Sequence, residues 1–192
     1  MVKKYPDLFS GFVGTGQLVN FQKAEEFTYR RLFDRAKQSA NAEVIKALAD
    51  LGPPPYTSRS AFLFSRQLAE KLTEPSEDAA QPRPTPHNPE ITAVEGQAIM
   101  RGLEYSRTQL FPVYNRIDLP SLGPHFDMPI FFFLGTADQV TPLELAAQYF
   151  DNIFAPHKDL VRFEGYGHFF VMNRPDNFLR SLVSKVCPYL TS

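Results

Sequence analysis

"FFFLGTADQVTP", residues 131–142, decides how the chain is read. Three phenylalanines and a leucine run without a polar break, as a buried strand does. Gly135 and Thr136 then turn the chain and present an acid, Asp138. Helix-starting residues follow at once: Thr141 suits an N-cap and Pro142 suits the first helical turn. A carboxylate at the carboxyl end of so apolar a strand needs a chemical reason.

Working outward from this stretch, residues 126–192 alternate strand and helix. "MPIFFFLG" is the first strand, a helix runs from Pro142 to about Phe154, and "KDLVRFEG" is the second strand. A last helix runs from Pro175 to about Val186. Two apolar strands joined by a helix of crossover length make a βαβ unit, with the strands parallel and adjacent. In open α/β sheets ligands sit beyond the carboxyl ends of the strands. Asp138 follows the first of these ends, and "EGYGHFF" places His168 on a glycine-flanked loop after the second. The two residues are therefore expected on one edge of the sheet. There the carboxylate can fix the imidazole tautomer while the other ring nitrogen exchanges a proton with a nucleophile. Taken singly, an acid before "QVTP" suits a turn and a histidine beside glycine suits a loop; their placement after two strands of one unit favours a catalytic pair.

The rest of the chain divides into two parts. Residues 1–17 contain "GFVGTG", which reads as a short buried strand ending in glycines. Residues 18–125 read as mostly helical. "AEEFTYRRLFDRAKQSANAEVIKALADLG" carries apolar residues at helical spacing up to Gly52, and "SRSAFLFSRQLAEKL" and "EITAVEGQAIMRGLEYSRTQLF" predict two further helices. Between these lies a polar, proline-dense stretch, residues 74–90, expected to be an exposed connector.

Bulk properties exclude several classes of function. The 20 basic and 21 acidic residues of this 192-residue chain nearly cancel, so no charge field argues for nucleic acid or an anionic membrane surface. No apolar run approaches the roughly 18 residues of a membrane span. The single cysteine, Cys187, permits no internal disulfide. His87, His125, His157 and His168 have no metal-ligand spacing, and "GTGQ" is too short for a phosphate loop. No metal and no cofactor is expected, and the default location is the cytoplasm.

"GTADQVTP" followed by "FEGYGHFFVMNRPDNF" resembles the end of an α/β-hydrolase, where the acid follows one late strand and the histidine the last. "KKYPDLFSGFVGTGQLVN", "LGPPPY" and "GLEYSRTQLFPVYNRIDLPSLGPHFDMPIFFFLG" narrow the resemblance to the proline iminopeptidase-like branch with its helical cap. The resemblance covers nearly the whole chain. It implies an α/β class, a partial α/β-hydrolase fold made of the last parallel strands with flanking helices, plus a helical cap insertion. Residues 1–17 would be a late strand of the core, 18–125 the cap and 126–192 the closing βαβα part.

The resemblance also implies hydrolysis of a small peptide, amide or ester through an acyl-enzyme, with Asp138 orienting His168. Recognition of a free N-terminal ammonium would need a carboxylate. The cap segment offers Glu25, Glu26, Glu95 and Glu104, and Glu95 and Glu104 lie on the segment nearest the catalytic strands. The nucleophile is the departure from the family pattern. No serine occupies a G-x-S-x-G turn: Ser121 has Leu119 in place of the first glycine, Ser10 has neither glycine, and Cys187 follows His168 in the wrong order. The elbow and the oxyanion-hole loop are expected upstream of Met1, and the 192 residues alone are expected to be inactive. Three readings stay open: a truncated hydrolase, one half of a split enzyme completed by another chain, and a non-catalytic binding module.

Overall fold

The computed structural model describes residues 1–72 and 92–190; the proline-rich stretch 74–90, including His87, lies outside them. The described residues divide into two compact units, one made of residues 1–19 and 118–190, the other of residues 20–72 and 92–117.

The first unit is built on a parallel three-stranded sheet. Its strands are β1 (Phe12–Thr15), β2 (Ile130–Gly135) and β3 (Lys158–Phe163), in that order across the sheet. Phe131 stands opposite Val13 on one side and Asp159 on the other. The chain is thus of the α/β class, and the two late strands are parallel neighbours.

The central position of β2 explains its unbroken apolar run. All six of its residues are buried. Ile130, Phe132 and Leu134 pack with Ala146, Tyr149 and Phe150 of helix α5 (Leu143–Asn152). Phe131 and Phe133 pack with Phe163, Phe170 and Val186, beside helices α6 (Phe170–Asn173) and α7 (Pro175–Lys185). A strand covered on both faces has no solvent side on which to alternate. Each fully buried phenylalanine contributes about 1.5–3 kcal/mol of transfer free energy. Lys158, which opens β3, donates from Nζ to the carbonyls of Phe150, Asp151 and Ile153 at 2.8, 3.1 and 2.9 Å. These contacts cap the end of α5, where the Phe150 carbonyl also accepts the N–H of Ile153 at 3.4 Å. In β1, only Gly14 is buried, less than "GFVGTG" suggested.

The second unit is helical. Its elements are α1 (Phe21–Gln38), α2 (Ala42–Leu51), α3 (Arg59–Leu72) and α4 (Ala93–Tyr114). The periodic stretch before Gly52 is two helices rather than one. Ser39 donates its hydroxyl to the carbonyl of Arg35 at 2.9 Å, and Ala40 turns to φ +51°. Asn41 then accepts from the N–H of Val44 at 3.1 Å and starts α2 anew. Serine and asparagine offer the backbone local partners that compete with helix continuation. Apolar spacing alone misses the break because both helices turn the same kind of face inward. Leu32 and Ala36 of α1 meet Val44 and Leu48 of α2 and Leu68 of α3 in one core. Phe111 of α4 packs against Phe21 and Phe62, with ring centroids 6.4 and 5.6 Å away. No described helix is long and apolar enough to cross a membrane.

Candidate active site

The loop that follows β2 and the loop that follows β3 are stitched together before either reaches its ionisable residue. Thr136 donates its backbone N–H to the carbonyl of Phe163 at 3.0 Å, and its hydroxyl accepts from the N–H of Gly165 at 2.9 Å. Ala137 donates to the carbonyl of Tyr166 at 2.9 Å. Gly135 makes this approach feasible: a Cβ there would overlap the Tyr166 carbonyl oxygen and stand 2.7 Å from that of Gly167. The last glycine of the apolar strand is the surface over which the histidine loop passes.

Asp138 and His168 meet as a result. Oδ2 of Asp138 lies 2.9 Å from Nδ1 of His168. The carboxylate side chain is 2% exposed and the imidazole 28%. Four donors converge on the carboxylate. Oδ1 accepts from the backbone N–H groups of Val140 and Thr141 at 2.7 and 2.8 Å, and Oδ2 accepts from the Thr141 hydroxyl at 2.8 Å as well as from His168. Burial pushes the Asp138 carboxyl upward. The hydrogen bond from His168, its charge, and the Thr141 N–H and hydroxyl outweigh that push and hold the carboxyl below its ordinary value. An ionised Asp138 makes Nδ1 the donor in neutral imidazole, so Nε2 carries the lone pair. A general base needs this tautomer.

The end of β1 closes the third side. Gly16 has φ +52°, and a Cβ there would lie 2.9 Å from both Nδ1 and Cε1 of His168 and 3.3 Å from Oδ2 of Asp138. Phe169 stands edge-on to the imidazole at 5.2 Å, and Phe170 behind it is anchored in the core. Sequence reasoning placed Asp138 and His168 but missed the parts taken by Gly16, Gly135 and Thr141. Thr141 was expected to cap the helix; Pro142 occupies the N-cap position of α5, and the hydroxyl turns back to Asp138. The signal was present as an acid followed three positions later by a hydroxyl residue.

The other candidates are engaged elsewhere. Glu95 forms a capping box with Thr92 at the start of α4, and the Thr92 hydroxyl and N–H lower its carboxyl pKa. Glu104 pairs with Arg59 through two contacts of 2.5 and 2.6 Å, and the hydrogen bond from Arg59 lowers its carboxyl likewise. Glu25 is buried against Arg66; burial raises its carboxyl pKa, and the Arg66 charge offsets this in part. Ser10 and Cys187 are exposed, and Ser121 donates to the carbonyl of Asp118 at 2.6 Å. His125 stacks on Phe154 and His157 on Tyr189. Among the described residues no group of three or more His, Cys, Asp or Glu is placed to hold a metal ion.

A buried acid and a partly buried histidine thus meet beyond the carboxyl ends of adjacent parallel strands in an α/β protein, the sheet edge where ligands of such folds sit. Comparison with known proteins adds a distant relative. The chain is 25% identical over 189 residues to the "Probable aminopeptidase YbaC" of Bacillus subtilis (strain 168), a match covering 95% of this chain and 59% of that protein. It thus spans 59% of the length of the curated relative it matches. Among solved structures, an alpha/beta fold family hydrolase from Bacillus anthracis str. Sterne is similar with a TM-score of 0.49 and 13% identity, over 95% of this chain and 60% of that one. A thermophilic esterase from Thermogutta terrifontis is similar with a TM-score of 0.46 and 18% identity, over 99% of this chain and 60% of that one. No protein-family model matches the chain.

Proposed function

We propose that this chain is the acid- and histidine-bearing part of a serine-type α/β-hydrolase, an aminopeptidase of the proline iminopeptidase-like kind. The helical unit is its cap, and its substrate is a small peptide with a free N-terminal residue. The observation that carries the reading is the 2.9 Å contact between a buried Asp138 and His168. In this mechanism Nε2 of His168 takes the proton of a nucleophilic hydroxyl as it attacks the scissile carbonyl, then returns it to the leaving amine. Asp138 keeps its negative charge throughout and stabilises the imidazolium that forms in between. The nucleophile belongs to a segment other than these 192 residues, since no serine here stands in a G-x-S-x-G turn. The distant aminopeptidase relative supports the choice of substrate class.

The test is turnover of a proline anilide and a short-chain nitrophenyl ester. The chain is assayed alone, and after co-expression with the coding sequence immediately upstream. The chain alone should be inactive. The completed protein should turn over the anilide and lose about a thousandfold or more of that activity with His168→Ala. Activity of the completed protein that survives His168→Ala would overturn the catalytic assignment. Activity of the chain alone that disappears with His168→Ala would place the nucleophile within these residues.

A further inference from the structure

The Thr141 hydroxyl has a use that its position before α5 does not require. The loop is already pinned to Asp138 by two backbone donors on Oδ1, from Val140 and from Thr141 itself. The hydroxyl adds a third protein contact at a different atom, Oδ2, which is the oxygen that meets His168. Thr141 is buried, and its β-branched side chain has few rotamers to choose from. Its Oγ1 lies 2.8 Å from Oδ2 and 3.4 Å from Nδ1 of His168, so the three polar atoms form one cluster. The charge of His168 acts on the Asp138 carboxylate. Gly16 closes the cluster from β1 and Phe169 borders the imidazole, and neither brings a charge.

We infer that Thr141 is a positioning residue of the Asp138–His168 pair, whose hydroxyl shares Oδ2 with the imidazole and thereby limits how strongly Asp138 draws on the Nδ1 proton. The inference rests on the proton-transfer reading of the pair. A carboxylate oxygen that accepts two hydrogen bonds donates less electron density to each than one that accepts a single bond. With the Thr141 donor present, the imidazolium is stabilised enough to form during catalysis but gives its proton up more readily. Without the donor, Oδ2 becomes the stronger acceptor, and the charged ring is held longer. The hydroxyl also fills a lone-pair position that would otherwise be left unpaired in a buried setting.

The measurement is the Nδ1 proton resonance of His168 by ¹⁵N-resolved NMR on the full chain, which needs no turnover. Wild type is compared with Thr141→Val, Thr141→Ser and Asp138→Asn. Thr141→Val keeps the shape and removes the donor. It should move the Nδ1 proton resonance downfield, as a strengthened hydrogen bond to Oδ2 does. Thr141→Ser should restore it. A valine variant that does not fold is replaced by Thr141→Ala, for which the same shift is expected. Asp138→Asn should abolish the downfield proton. If Asp138→Asn behaves so while neither Thr141 variant moves the resonance, the inference about Thr141 is overturned and the pair stands. If Asp138→Asn changes nothing, the pair itself is not coupled and the reading beneath the inference fails with it.

Discussion

Gly16 and His168 are in contact across the sheet edge: the place where Gly16 would carry a Cβ is 2.9 Å from the imidazole Nδ1. The glycine is required twice over. Its φ of +52° disfavours any residue with a Cβ, and the space is already taken by the ring and, at 3.3 Å, by Oδ2 of Asp138. Gly16→Ala should therefore displace the ring from the carboxylate while leaving the rest of the sheet folded. NMR is expected to show loss of the Nδ1–H tautomer with most backbone resonances unmoved. A variant that keeps the tautomer would show that the ring has room to retreat.

Gly135 acts on the histidine loop through backbone, which gives way less easily than a side chain. The first atoms that an added Cβ would meet are the carbonyl oxygens of Tyr166 and Gly167. Both loops would have to separate, and the bonds from Ala137 to Tyr166 and from Gly165 to Thr136 would stretch. Gly135→Ala should cost about 1–3 kcal/mol, the usual range for overpacking. Urea denaturation measures the loss, and a midpoint equal to wild type would contradict the close passage of the loop.

Asp138 and Glu25 should make opposite contributions to the pH dependence of stability. The Asp138 carboxyl is held below its ordinary 3.8, so its contribution is full above that value and is lost as pH falls through the depressed native value. Asp138→Asn should therefore be less stable than wild type at neutral pH, and the gap should close on acidification. The Glu25 carboxyl is raised above its ordinary 4.5 by burial. Its contribution is full below 4.5 and is lost as pH rises through the raised native value. Glu25→Gln should remove that loss. Thermal unfolding of the three proteins across the acid range separates the two signs, and parallel profiles for all three would refute both.

The sequence by itself determined the β2–α5–β3 unit and the sheet edge at which Asp138 and His168 meet. An apolar run such as Ile130–Leu134 has one stable setting, a strand covered on both faces, and parallel strands joined by one helix must present their carboxyl ends together. Asp138 and His168 were legible for that reason: each directly follows a strand, and topology carries both to one edge. The interruption at Ser39–Asn41 was not legible, because the apolar spacing resumes after it and only local hydrogen bonds mark the break. Nor was the assignment of Glu104, since its partner Arg59, distant in sequence, is chosen by packing; the capping box of Glu95 with Thr92 is local and stands in the sequence as a threonine three residues before the acid. The tertiary structure alone decided what Thr141, Gly16 and Gly135 do. A hydroxyl before a helix can cap that helix or turn to a carboxylate, and a glycine after a strand can serve a turn or make room for another chain segment. Which of these holds depends on what folding brings within about 3 Å, the reach of a hydrogen bond.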